Sequence, residues 1–163
     1  MRVYIPATIA MLRQLLDNGE LRALSGTAFA LTPALRESYT TGSAEELEYA
    51  ALLEAARASL RLLGADDAEP ARRVVVSADV PDAKPRPDLD HAVVRLPGPV
   101  ALSMIAALHV DTPDAEDHVR AAAKVVDAAD LGDPDAEFTL GDAEDHELSW
   151  YATQELPFLL ELL

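Results

Sequence analysis

The chain has 163 residues and no cysteine; half of its residues are hydrophobic, 5% are aromatic, and its formal net charge is −16. The length predicts one large domain or two small ones in close contact. No run approaches the roughly 18 apolar residues of a membrane-spanning helix, and the first residues lack the apolar stretch of a signal peptide. Without cysteine, disulfides and thiolate chemistry are excluded. We therefore expect a soluble cytoplasmic protein.

The negative charge is concentrated in the last third of the sequence. Residues 111–163 contain fifteen acids against two bases, Arg120 and Lys124, whereas residues 1–110 contain fourteen acids against eleven bases. Such a field repels phosphate backbones and attracts basic proteins or divalent cations. It predicts no binding to nucleic acid. The alternative explanation is that the acids only keep the chain soluble.

The first residues predict a strand, a helix and a second strand. A β-branched and aromatic run interrupted by proline predicts the strand at Arg2–Ala7. Apolar residues at helical spacing follow Thr8, a suitable N-cap, up to Asn18-Gly19. The second strand is predicted at Thr27–Thr32, which Pro33 ends.

A long helix is predicted next, with signals at both ends. Ser43 and Glu46 have the spacing of a capping box, in which each side chain bonds the other residue's free backbone N–H. One continuous apolar stripe follows at helical spacing, and Gly64 stands where a helix stop is expected.

Two strands flank a proline-rich segment in the middle of the chain. The apolar start of Arg73–Val80 is typical of a central strand, and Ala92–Pro97 predicts another. Residues 81–91 contain three prolines and no apolar period, so we expect a linker there. A helical turn within Val100–Ile105 and a strand at Ile105–Asp111 are predicted beyond it.

The acidic last third predicts a helix followed by a hairpin. Thr112-Pro113 opens the helix, whose apolar positions recur up to Ala129. After a loop, residues 137–142 and 146–156 are predicted as two strands around the turn GDAED. The apolar tail at 157–163 is predicted to be helical.

The predicted elements of residues 1–80 recur in residues 92–163. Val3-Tyr-Ile-Pro6 parallels Val94-Arg-Leu-Pro97, and Thr-Pro ends a strand in both halves. This pattern predicts an α/β or α+β fold of two pseudo-symmetric halves, each strand–helix–strand–helix–strand, with helices packed on a sheet. The halves are expected either as two units or as one compact domain.

Common catalytic motifs are missing from the sequence. It has no Gly-rich phosphate loop, no GxSxG elbow, no CxxC and no HExxH. The sequence therefore predicts no cofactor.

The pentapeptide DAEDH occurs twice, at 114–118 and 142–146. Imidazole and carboxylate together suit zinc, iron or manganese, which makes His109, Asp111, Asp114 and His118 the candidate metal ligands. The competing explanation is that the acids of the first copy stabilise a helix N-terminus. Because the second copy is predicted in a turn, we expect that His118 and His146 do not share a site.

Candidate catalytic residues lie after the second copy. We expect Trp150, the only tryptophan, to be a core anchor on a strand, and Tyr151 then faces the opposite side. Tyr151, Glu155 and His146 then line a pocket in which Glu155 or His146 acts as general base. Asp79 occupies the position that matches Glu155 in the first half.

The segments VVVSADVP, AALHVD and HELSWYATQELP resemble those of conserved hypothetical proteins from actinobacteria. The resemblance covers most of the chain. That family has no assigned activity, so the resemblance implies an intracellular bacterial protein and no particular site residues.

The sequence favours a non-catalytic binding or regulatory module over an enzyme. Such a module either self-associates or binds a protein partner, with no role at a membrane. The alternative is a hydrolase or metal-dependent enzyme that uses acid and histidine residues near 109–118 or 146–155.

Overall fold

A computed structural model describes all 163 residues, and its largest element is one antiparallel sheet of seven strands. In spatial order these strands are β5 (Lys84–Pro85), β6 (Val93–Arg95), β3 (Thr27–Phe29), β1 (Arg2–Ala7), β4 (Val74–Asp79), β8 (Ile105–Val110) and β9 (Ser149–Ala152). A separate pair joins β2 (Glu20–Leu21) to β7 (Val100–Ala101).

Six helices accompany the sheet: α1 (Ile9–Asn18), α2 (Pro33–Ser38), α3 (Ala44–Gly64), α4 (Glu116–Asp130), α5 (Pro134–Glu144) and α6 (Leu156–Glu161). None of them is both long enough and apolar enough to span a membrane. The predicted class, helices packed on a sheet, is confirmed in its α+β form.

The main core lies between one face of the sheet and two helices. Alternate strand residues such as Val3, Ile5 and Leu108 point into it, because successive strand side chains project to opposite faces. Helices α1 and α6 close this core with their own apolar faces, for example through Leu12 and Leu159.

The opposite face of the sheet is covered by α3. Tyr4, Phe29 and Val75 project from this face and pack with the alanines Ala51 and Ala55 of α3. Helices α4 and α5 pack in turn against the C-terminal part of α3 through small and aliphatic residues. Two helices thus cover one face of the sheet, and mainly a single helix covers the other.

The predicted start of α3 is confirmed. Ser43 precedes the helix, and its Oγ accepts a hydrogen bond of 3.2 Å from the backbone N–H of Glu46. The Glu46 carboxylate lies 3.3 Å from the same hydroxyl. These contacts satisfy backbone and side-chain groups at the end of the helix.

The hairpin predicted over 137–142 and 146–156 is wrong, because residues 134–144 form α5. Asp133 caps this helix by accepting from the N–H groups of Asp135 and Ala136, and Pro134 stands in the first turn, where its missing N–H costs nothing. Only the strand β9 remains of the hairpin.

The segment predicted as a linker contributes a strand to the sheet. Lys84 and Pro85 of β5 pair with Arg95 and Val94 of β6. The division of the chain into residues 1–80, 81–91 and 92–163 stays a prediction.

The pseudo-symmetry of the two halves is not confirmed. In the first half β4 pairs with β1, whereas in the second half β9 pairs with β8 and not with β6. The helix expected between the first two strands is also replaced by the short strand β7 and a single 3-10 turn, Leu102–Met104. One sheet therefore draws on strands from both halves.

Candidate functional site

A groove lies between α3, the strand β8 and the segment that leads into β9, where the single covering helix leaves the sheet partly open. Its volume is about 360 Å³. Tyr49 and Leu53 line it from α3, His109 lines it from β8, and His146 and Glu147 line it from the segment before β9. We call this feature the β9 groove. Two of the histidines singled out from the sequence therefore share one cavity.

Trp150 lies on the groove side of the sheet and is 63% exposed. It pairs with His109 in the β8–β9 register, so the two side chains project to the same face. The prediction that Trp150 is a core anchor is wrong. Tyr151 packs against the main core instead, because α1 and α6 cover only the opposite face of this edge strand.

A buried ion pair between Arg73 and Asp111 lies beside the groove. The Arg73 guanidinium donates from Nε to Asp111 Oδ2 and from Nη2 to Asp111 Oδ1, each at 2.8 Å. The Arg73 backbone N–H donates to Oδ2 as well. The carboxylate of Asp111 is thus occupied by arginine, and its side chain is 0% exposed.

The same arginine positions His146. Arg73 Nη2 donates to the backbone oxygen of His146 at 2.8 Å, and the backbone N–H of His146 donates to Ala143 O at the end of α5. The loop between α5 and β9 is therefore tied to β4 and to α5 at the residue that carries the imidazole.

His109 forms a close pair with Ser77 on the same face. Ser77 Oγ lies 2.6 Å from His109 Nε2. Burial, with a smaller contribution from the positive charge of Arg2, lowers the pKa of His109 to about 4. The imidazole is therefore neutral near pH 7, the state in which a ring nitrogen can accept a proton.

Farther along this face, Asp79 is held by a surface arginine. Its carboxylate accepts from Arg2 Nε at 2.8 Å and from Arg2 Nη2 at 3.1 Å, and this hydrogen bonding lowers the pKa of Asp79. The neighbouring Tyr4 hydroxyl donates to Glu48 at 3.3 Å, and burial together with Glu48 raises the pKa of Tyr4 to about 12.

The structure brings His118 and His146 together. His118 Nδ1 lies 2.9 Å from His146 Nε2, and the ring centroids are 5.1 Å apart. The prediction that these residues do not share a site is wrong. Because α4 and α5 form a helical hairpin, the start of α4 lies beside the end of α5, and the histidines that end the two DAEDH motifs become neighbours.

The other candidates do not converge. Asp114 and Glu155 are exposed, and Tyr151 faces away from the groove. No group of three or more histidine and acidic residues is arranged to hold a metal ion. The structure thus joins His109 and His146 in one cavity and His118 to His146 by direct contact, while Asp111 is engaged by Arg73.

Sequence reasoning missed Arg73, Ser77 and the α3 residues Tyr49 and Leu53. An arginine at the start of an apolar strand, Arg73–Val80, is the one signal that pointed to a buried charge. Nothing in the sequence alone placed α3 opposite β9.

A family model described as a family of unknown function, DUF6912, matches residues 1–160. The chain belongs to the DUF6912 family. The match agrees with the resemblance of the sequence to an uncharacterised family. No curated protein and no solved structure matches this DUF6912 chain.

Proposed function

We propose that the protein is a non-catalytic binding module that takes up an extended segment of a partner protein along β9 and in the β9 groove. The observation that carries the proposal is Trp150, an exposed tryptophan on the outermost strand of the sheet, next to the groove. Tryptophan is among the residues most enriched at the energetic centres of protein interfaces.

The backbone of β9 supports this mode of binding. Strand β9 pairs with β8 on one side only and stands at the end of the sheet. An outermost strand presents unpaired N–H and C=O groups, to which an extended segment can add as a further strand. A side chain of that segment would then enter the groove beside Tyr49 and Leu53.

The charge of the molecule selects the partner. Residues 111–163 carry fifteen acids against two bases, and Glu147 lines the groove itself. A second copy of the chain would bring the same negative field, and nucleic acid would bring phosphates, so both are disfavoured. The partner segment is therefore basic with at least one large apolar side chain. This binding needs no cofactor.

A displayed library of random peptides tests the proposal. Peptides selected on the wild-type protein are expected to combine basic and apolar residues. They should bind the Trp150→Ala variant about 10-fold more weakly or worse, since a central aromatic anchor contributes about 2 kcal/mol or more. Phe138→Ala is the matched control, because Phe138 is 77% exposed on α5, outside the groove.

Two outcomes would overturn the proposal. One is the absence of selected peptides that need Trp150. The other is a dimer in light scattering that Trp150→Ala converts to a monomer, which would assign the edge to self-association. Because Trp150 is the only tryptophan, its fluorescence reports binding at this position directly.

A hydrolase is the second candidate, on the strength of the short contact between Ser77 and the neutral His109. A serine and a neutral imidazole in hydrogen-bond reach are the core of a nucleophile–base pair. Against it, Ser77 is only 2% exposed, which shields its hydroxyl from a substrate. Fluorogenic esters decide: activity that Ser77→Ala abolishes would favour the enzyme, and no turnover would exclude this dyad.

We also propose a cytoplasmic location and an actinobacterial source. The absence of cysteine supports the former, since secreted domains commonly rely on disulfides. The excess of eleven arginines over two lysines supports the latter, because it is typical of a GC-rich genome.

A further inference from the structure

The contact between His118 and His146 joins two imidazoles whose backbones are held by the fold. His118 belongs to α4, and the backbone of His146 is held by Arg73 and by the end of α5. Both rings are accessible, His118 being exposed and His146 half-buried. The fold therefore brings the two rings into contact before a ligand binds.

The spacing of the two nitrogens in the free protein is close to that of one coordination geometry. A metal ion ~2.05 Å from each of two nitrogens that lie 2.9 Å apart subtends an angle of ~90°. That angle is the one between neighbouring ligands in square-planar and octahedral complexes. Tetrahedral coordination would need nitrogens ~3.3 Å apart. Tetragonal nitrogen and oxygen sites are typical of Cu²⁺ and Ni²⁺.

We propose that His118 and His146 form a two-imidazole chelate for a tetragonal divalent transition-metal ion, Cu²⁺ or Ni²⁺. In the free protein one of the facing nitrogens donates a hydrogen to the other. To ligate, the donor ring moves this hydrogen to its other nitrogen, and both rings turn so that their lone pairs point at one metal ion and not at each other. Chelation by neutral imidazoles thus needs a change of tautomer and no net loss of a proton.

The surroundings attract a cation and leave several coordination positions of the metal to water. The negative field of residues 111–163 raises the local concentration of divalent ions. Because no third histidine or acid is arranged as a ligand, water completes the coordination shell. A metal with two protein ligands and several exchangeable waters can accept an additional donor from another molecule. His146 also lines the β9 groove, but the chelate does not involve Trp150 and does not rest on the proposed peptide binding.

Calorimetric titration of the untagged protein with Cu²⁺, Ni²⁺ and Zn²⁺ tests the site. We expect one Cu²⁺ per chain, with Ni²⁺ bound in preference to Zn²⁺ at matched buffer conditions. His118→Gln and His146→Gln should each lower the Cu²⁺ affinity by about 100-fold or more, since loss of an outer-shell partner alone costs about 10–100-fold. His91→Gln, which alters an exposed histidine elsewhere, should leave the affinity unchanged.

Electron paramagnetic resonance of the Cu²⁺ complex provides the second measurement. Hyperfine structure from two imidazole nitrogens is expected in the wild type and from one or none in each variant. Equal affinity in wild type and both variants, or a spectrum without two nitrogens, would overturn the proposal in favour of binding at surface carboxylates. Trp150→Ala should keep the metal site, which separates this result from a failure of peptide binding.

Discussion

Arg73 and Asp111 form a buried, two-pronged ion pair where the start of β4 meets the end of β8. Their side chains are 3% and 0% exposed. The pair also reaches the third strand of this edge, because Arg73 holds the backbone of His146 before β9. A single arginine therefore ties the loop that carries His146 to the end of β8, the strand that carries His109.

Asp111→Ala is expected to lower the free energy of unfolding by about 3–5 kcal/mol, because it leaves the Arg73 guanidinium buried without its partner. Denaturant unfolding followed by circular dichroism measures the change. Asp79→Ala is the matched control: it breaks the exposed pair with Arg2, which should cost about 1 kcal/mol or less. Equal losses of unfolding free energy in both variants would show that the buried pair stabilises the fold no more than the exposed pair does.

Acid should destabilise the protein through His109. The pKa of this imidazole is about 4 in the folded chain against an ordinary value of 6.5, so the unfolded chain binds more protons between these values. The stabilisation is complete above about pH 6.5 and is lost as the pH falls towards 4. We expect the Cε1 proton of His109 to titrate in NMR spectra with a midpoint near 4.

The matched variant for this titration is His109→Gln, which removes the imidazole and keeps a polar side chain. Between pH 6.5 and 4 its free energy of unfolding should fall less steeply than that of the wild type. Parallel curves for the two proteins would contradict a depressed pKa at this position.

The sequence predicted the elements whose local signals agree with their packing. Strands β1, β4 and β8 have apolar patterns that fit a sheet, and α3 begins at the Ser43–Glu46 cap as its spacing indicated. Local pattern suffices where the core-facing residues are large and aliphatic, since burial then follows directly from composition.

Prediction failed where alanine and glycine weaken the pattern. Residues Pro134–Glu144 form α5, although its buried face is only Ala136, Leu140 and Ala143. Without α5 the contact between His118 and His146 could not be predicted, because the α4–α5 hairpin brings the two residues together. The prediction for Trp150 was wrong for another reason. Alternation along β9 shows that Trp150 and Tyr151 lie on opposite faces, but only the position of α6 decides which face is buried.

Trp150→Ala should change the stability by less than about 0.5 kcal/mol, the usual range for an exposed surface position. The comparison variant is Leu108→Ala, at the residue of β8 that precedes His109, the partner of Trp150. It should cost about 2–5 kcal/mol because Leu108 is fully buried. Quenching of Trp150 fluorescence by acrylamide gives an independent check, with ready quenching expected in the free protein. A large loss of stability in Trp150→Ala would place the indole in the core and remove the basis for the binding site.

The close approach of α3 and α4 depends on Gly64. A Cβ atom at this position would lie 2.6 Å from the backbone oxygen of Ala123, closer than packed atoms tolerate. Because backbone on both sides must shift, Gly64→Ala is expected to destabilise the protein by about 1–3 kcal/mol, as overpacking commonly does.

Gly141→Ala is the matched control, since nothing lies within 4 Å of its added Cβ and the residue is inside α5. There alanine should stabilise by about 0.5–1 kcal/mol through its higher helix propensity. Thermal unfolding of the two variants should therefore shift in opposite directions, and a stabilising Gly64→Ala would show that α3 and α4 pack less closely than described.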